Sequence, residues 1–162
     1  MQPEDLPPRA RLNGNTVPRS SCPISYTLEM VGDSWSLLIV RDIVYFGKKT
    51  FGEFRTSEKG IARNIVSNRL ARLVEQGIMT TRPYPDDGRK DLCELTETGL
   101  DLIPILLAMA EWGATYFAEF DAPPEWIQLV RSGRDEMTTL ICDTVRSGGA
   151  TFAGENSVVS KL

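Results

Sequence analysis

Asn64, Ser67 and Asn68 fall in one short stretch with Arg63, Arg69 and Arg72, and no acidic residue occurs from Arg63 through Leu73. A carboxamide can pair bidentately with an adenine edge and a hydroxyl adapts to several partners. The first three residues are therefore candidates for reading base edges in double-stranded DNA. Guanidinium groups suit phosphates, which fix position without specifying sequence, and that is the role expected of the three arginines. Upstream, Lys48 and Lys49 precede Thr50, where a helix start exposes backbone amides, so the three together have the makings of a phosphate clamp. Downstream, Arg89 and Lys90 can reach backbone or minor groove, with Asp86, Asp87 and Asp91 diluting their field. The plainer alternative for all of these is a solvated helix or hairpin surface. Arg69 lies beside an apolar stripe, and for it an internal carboxylate such as Glu53 or Glu75 is a second alternative.

Other chemistry finds little footing. The chain has no histidine, so no imidazole base, and a zinc site would have to use cysteine and carboxylates alone. There is no glycine-rich phosphate loop, no nucleophile elbow and no carboxylate pair with a place to converge. An enzyme, a cofactor and a metal are not expected. The three cysteines, Cys22, Cys93 and Cys142, are odd in number and widely spaced, which does not describe a disulfide framework. Cys22 directly precedes Pro23 at a predicted helix start, a kind of position that in general favours reactive thiolates. A buried or capping cysteine is the favoured reading there, and a redox sensor the alternative. Trp35, Trp112, Tyr116 and Phe117 read as core or dimer packing, with a pocket for an aromatic small-molecule effector left open.

The elements that must position these residues follow from caps and periodicity. Pro23 starts a first helix, which Gly32 breaks. Asp33 or Ser34 caps a second, apolar around most of its circumference and ended by Gly47. Thr50 and Glu53 have the spacing of a capping box, so a short helix begins at Phe51. Gly60 separates it from a longer helix that Gly77 stops. On that helix Val66, Leu70, Leu73 and Val74 share one face, opposite Arg63, Asn64, Ser67, Asn68, Ala71 and Arg72. Strands IMTTR and RKDLCEL follow, joined by the strong turn signals of PYPDDG. Two helices and a basic hairpin in this order have the layout of a winged helix-turn-helix. The fold class expected is mainly α with a small β-hairpin and flanking dimerisation helices.

Thr96 caps a further apolar stretch, which Pro104 and Gly113 are expected to kink or break. If continuous from Glu97 to Phe120 it would span about 36 Å. Its surplus of large apolar residues suggests a homodimer seam, since exposed patches of that size are disfavoured. Four regions result: a flexible arm over residues 1–20, a winged domain over 21–122, a helical extension over 123–146 and a Gly-, Ser- and Ala-rich flexible tail over 147–162. At 162 residues with 41% hydrophobic content, the chain can bury one core without staples. No long apolar run or signal-peptide core is visible, so neither a membrane partner nor export is expected and the cytoplasm is the expected location. The net charge of −4 divides unevenly, as −1 over residues 1–40, +3 over 41–95 and −6 over 96–162. The positive excess falls on the segment that carries the candidate DNA residues, and binding responds to local charge rather than overall pI.

In ordered blocks, CPISYTLEMVGDSWSLLIVRDI, FGEF, GIARNIVSNRLARLVEQGIMTTRPYPDDGRK and LTETGLDLIPILLAMAEWGATY, the chain resembles the HxlR family of bacterial transcription regulators, a branch of the MarR-like winged-helix group. The resemblance covers about residues 20–120. It implies a homodimer that places one winged domain on each operator half-site and represses or activates neighbouring genes. It also implies a redox effector in some members, at the cysteine that Cys22 matches, while many members carry the same Cys-Pro without that use. A winged-helix protein-interaction module is the alternative function, and the region after Pro123 lies beyond the pattern.

Overall fold

The computed structural model describes residues 19–56, 61–119 and 121–161. The expected arm up to residue 18 and the turn at Gly60 lie outside the described residues.

Helix α1 (Pro23–Val31) opens with proline at a position whose amide would be unbonded anyway. Helix α2 (Ser36–Phe46) is capped by Asp33, whose Oδ1 accepts from the amides of Trp35 at 2.9 Å and Ser36 at 3.0 Å. Val40 and Val44 are fully buried on α2, with Ile39 and Ile43 beside them, so the other elements pack around this helix. Gly47 ends it at φ 64°, in the left-handed region that favours glycine. Helix α3 (Phe51–Arg55) has its capping box complete: the Thr50 hydroxyl accepts from the Glu53 amide, and Glu53 Oε2 accepts from the Thr50 amide at 2.7 Å.

Helix α4 (Arg63–Glu75) buries Val66 and Leu73. Val74, expected on the same stripe, is exposed, and Leu70 is half-buried. The apolar face is narrower than its periodicity suggests, because Val74 turns toward an open groove between α3, α4 and the hairpin. Strands β1 (Met79–Tyr84) and β2 (Asp87–Leu95) pair antiparallel from Met79↔Leu95 to Tyr84↔Asp87, with an irregularity between Pro83 and Tyr84. Both strands run further toward the turn than the sequence indicates. The bulge allows pairing to continue to a tight turn at Pro85 and Asp86.

The long apolar helix is not continuous. Thr96 caps a short α5 (Glu97–Leu100), accepting from Gly99 N at 3.2 Å while donating to Gly77 O at 2.6 Å. Gly99 is needed there, because a Cβ would come within 2.1 Å of Ile78 O. The chain breaks at Asp101 and Leu102 and resumes as α6 (Ile103–Tyr116), with Pro104 in its first turn and Gly113 within the helix.

Helices α7 (Pro124–Ser132) and α8 (Arg134–Arg146) bury Trp126, Ile127, Val130, Met137 and Ile141 in the same apolar cluster as α2 and α6. No break in packing separates the extension from the winged domain. The tail also differs from expectation. Ala150, Thr151, Ser157 and Val158 are buried, and Val158 N and Val159 N bond back to Ala150 O and Thr151 O at 3.0 and 3.1 Å. At these residues the segment is packed rather than loose, because small side chains let the backbone around Ala150–Phe152 lie directly on the end of α2.

Candidate DNA-binding face

Helix α4, the α3 start and the hairpin wing border one open groove of about 740 Å³, lined among others by Thr50, Phe51, Ser67, Ala71, Thr81 and Arg89. Along the outer face of α4, Arg63, Asn64, Ser67, Asn68 and Ala71 are all exposed. The three base-edge candidates are thus brought to one surface. Asn68 Oδ1 accepts from Arg69 Nη1 at 2.9 Å, so the donor group of this exposed carboxamide is its amide nitrogen. The N-cap of α4, Ala62, supplies no side-chain acceptor to the first amides of the helix.

The three arginines do not act alike. Arg63 is exposed and its guanidinium lies over the Phe51 ring at 5.8 Å. Arg69 is half-buried, with Nε 2.8 Å from Asp33 Oδ1, so its partner is the α2 cap rather than Glu53 or Glu75. Arg72 is also half-buried and donates from Nη2 to the backbone carbonyl of Glu29 on α1. Arg69 and Arg72 thus each engage an acceptor within the chain, unlike Arg63. Both lean inward because the α1–α2 junction offers them acceptors, and both hold α4 against it.

At the expected phosphate clamp several donors also have partners within the chain. Glu53 Oε2 already accepts from the amides of Lys49 at 2.9 Å and Thr50 at 2.7 Å. Bonding from Lys49 and Thr50 outweighs burial and keeps the Glu53 carboxyl below the usual range. Lys48 Nζ lies 3.3 Å from Asp42 Oδ2, and Lys49 Nζ donates to Gly148 O at 3.2 Å. Both lysines are half-buried, so this turn contributes positive potential from fixed positions. On the wing Arg89 is 92% exposed at its side chain, 3.2 Å from Asp87, and Lys90 reaches the same carboxylate at 3.3 Å. Hydrogen bonds from Arg89, then Lys90, hold the Asp87 carboxyl below its ordinary value.

Two groove residues were not legible beforehand. Phe51 carries Arg63, and the capping box that fixes α3 was the signal that could have placed it toward α4. Thr81 lines the groove from β1, a strand whose residues beyond Met79 are mostly exposed and carry no alternation to mark it.

Among the cysteines, Cys22 is exposed and its side chain makes no capping bond, so the buried or capping reading is corrected. Pro23 stands at the α1 start, and the thiol is exposed among the described residues. Burial pushes the Cys93 thiol up to about 11 and also raises Cys142. Trp112, Tyr116 and Phe117 are exposed rather than core, while Trp35 is half-buried. Among the described residues, no group of histidine, cysteine and carboxylates could hold a metal ion, and no helix is long and apolar enough to cross a membrane.

Comparison with known proteins agrees with this geometry. An uncharacterized HTH-type transcriptional regulator of Mycobacterium tuberculosis is 34% identical over 132 residues, covering 82% of this chain and 78% of the relative. The solved structure of PA1607, described as a candidate transcription factor, is 42% identical with a TM-score of 0.57, covering 65% of this chain and 72% of that one. The redox regulator HypR in its oxidized form is 31% identical with a TM-score of 0.53, over 62% of this chain and 100% of that one. A family model for the HxlR-like helix-turn-helix matches residues 30–121, from the end of α1 through the wing and α6, and the chain belongs to that family of transcriptional regulators.

Proposed function

We propose that this regulator binds DNA sequence-specifically as a homodimer on an inverted-repeat operator. The observation that carries the reading is the acid-free, exposed face of α4 from Arg63 to Ala71, set beside the Arg89 wing across an open groove. Asn64, Ser67 and Asn68 meet base edges in the major groove. Arg63, Arg89 and Lys90 meet phosphates, while Lys48, Lys49 and Thr50 flank the backbone with positive potential. Arg69 and Arg72 set the angle of α4.

The second copy docks on the apolar surface shared by α1 and α6. Ile24 and Leu28 on α1 and Met109, Trp112 and Tyr116 on α6 are each more than half exposed, and Ile105 joins the two halves of that surface. A two-fold dimer through this face would set two α4 helices about 34–36 Å apart, one DNA turn. Selection of genomic fragments on the purified protein tests the whole reading. An inverted repeat bound with a steep salt dependence, about −0.9 in log–log slope per neutralised phosphate, is the expected result. Binding to no fragment, or binding insensitive to salt, would leave a protein-interaction module as the better account.

A second reading, redox control of this binding, is favoured by the exposure of Cys22 and by the likeness to HypR. Loss of operator binding on mild diamide treatment, restored by dithiothreitol and absent in Cys22→Ser, is its test.

A further inference from the structure

The C-terminal segment lies outside the matched family region, yet it completes the end of α2. Helix ends leave carbonyls without intrahelical partners. At the end of α2, Ile43 O accepts from Gly47 N at 3.1 Å, and the next two carbonyls are met from far along the chain: Val44 O by Thr151 N at 2.8 Å and Tyr45 O by Phe152 N at 2.9 Å. The Phe152 ring then packs edge-on against Tyr45 and Trp126, with centroids 5.3 and 5.0 Å apart. Ala150 sits so close to Gly47 that a Cβ on that glycine would meet it at 3.3 Å.

The turn that follows α2 links this segment to the wing through one residue. Lys49 Nζ donates to Gly148 O at 3.2 Å, its amide donates to Glu53 at 2.9 Å, and its carbonyl accepts from Cys93 N on β2 at 2.7 Å. Strap, α3 cap and wing strand therefore meet at Lys49.

We infer that residues 148–152 are a positioning strap for the DNA-binding face: they fix the Gly47–Thr50 turn and, through the Lys49 carbonyl, the wing, so that DNA affinity depends on a segment that does not touch DNA. The inference rests on the DNA-binding reading above. Phe152 is its anchor, since its amide and its ring both hold the α2 end.

The test measures binding of an operator-bearing duplex by fluorescence anisotropy, with chain integrity followed by circular dichroism. Phe152→Ala removes the ring. Gly149→Ala is an independent variant, since a Cβ there would come within 2.6 Å of Asn156 O and displace the strap. Each is expected to weaken binding roughly three- to thirtyfold, the range of coupling through packed networks. Phe152→Tyr should restore it. Most of the Phe152→Ala loss should vanish in an Arg89→Ala chain, because the wing contact that the strap steadies is already gone. Full affinity in both folded variants, or losses that simply add to that of Arg89→Ala, overturns the strap. Hydrogen exchange at the Cys93 amide, bonded to Lys49 O, gives a reading without DNA: faster exchange in Phe152→Ala supports the strap and unchanged exchange overturns it. Failure of the unaltered chain to bind any duplex overturns the DNA-binding reading instead, and the Cys93 amide then decides the strap alone.

Discussion

Arg69 Nε lies 2.8 Å from Asp33 Oδ1, joining the middle of α4 to the residue that caps α2. Both side chains are mostly buried, so either one left without the other would keep its charge away from water with less compensation. Asp33→Ala removes the cap and takes the carboxylate from Arg69 Nε at once, leaving Arg69 only its bond to Asn68. It is expected to lower unfolding stability by about 1–3 kcal/mol in urea titrations. The double variant with Arg69→Met should lose less than the two single losses together, by about 0.5–3 kcal/mol of coupling. Strictly additive losses would show that the pair contributes nothing.

The same carboxylate makes stability depend on acid. Burial opposes ionisation of Asp33, but bonds from the Ser36 hydroxyl and the Trp35 and Ser36 amides outweigh it, so its carboxyl sits below the ordinary 3.8. Glu53 sits below 4.5 because the Lys49 and Thr50 bonds outweigh burial in the same way. A carboxyl with a lowered folded value contributes its full stability above its unfolded value and loses it as pH falls through the folded one. Melting temperature is therefore expected to be flat toward neutrality with respect to these groups and to fall once pH drops below 4.5 and then 3.8. In Asp33→Asn with Glu53→Gln that acid-side fall should shrink. An unchanged acid limb in this variant would assign the fall to other groups.

Base reading and charge separate on two residues. Asn64→Ala is expected to cost about 1–3 kcal/mol on the operator and little on random DNA. Arg89→Ala should weaken both duplexes alike and reduce the salt slope by about one unit. Equal losses on both duplexes for Asn64→Ala would remove it from the base-reading set.

Trp112 is 69% exposed, and its ring lies 5.1 Å from that of Tyr116 between centroids, the one aromatic contact it makes among the described residues. In a dimer through α1 and α6 it becomes a central aromatic anchor. Trp112→Glu should weaken self-association by about 2 kcal/mol or more, seen as a shift to monomer in sedimentation velocity, with the circular dichroism spectrum unchanged. A monomeric wild-type protein at micromolar concentration, with or without DNA, would rule out this face as the seam.

Cys22→Ser is expected to bind the operator like the unaltered chain under reducing conditions, because the thiol is exposed and makes no capping bond to α1. Gel-shift titration before and after diamide checks both halves. A reduced Cys22→Ser protein that binds poorly would give the thiol a structural role instead.

Short-range chemistry made much of this molecule legible from its sequence. The Thr50–Glu53 box, the Thr96 cap and the stops at Gly47 and Gly77 depend on residues a few positions apart, so they fixed the order of α2, α3, α4 and the hairpin. The polar face of α4 was equally readable, since Asn64, Ser67 and Asn68 are exposed wherever Val66 and Leu73 are buried. Which arginines remain available was not readable, because Arg69 and Arg72 answer to acceptors on other elements: the Asp33 carboxylate and the Glu29 carbonyl. The long apolar helix also needed the tertiary structure, since Gly99 packs against the Ile78 carbonyl and the break falls just after α5. The last segment shows the limit most clearly. Glycine, serine and alanine there look like a loose tail by composition, yet small side chains are what let Thr151 and Phe152 bring their amides to the open carbonyls of α2. Long-range backbone bonds of this kind leave no periodicity behind, and only the folded chain reveals them.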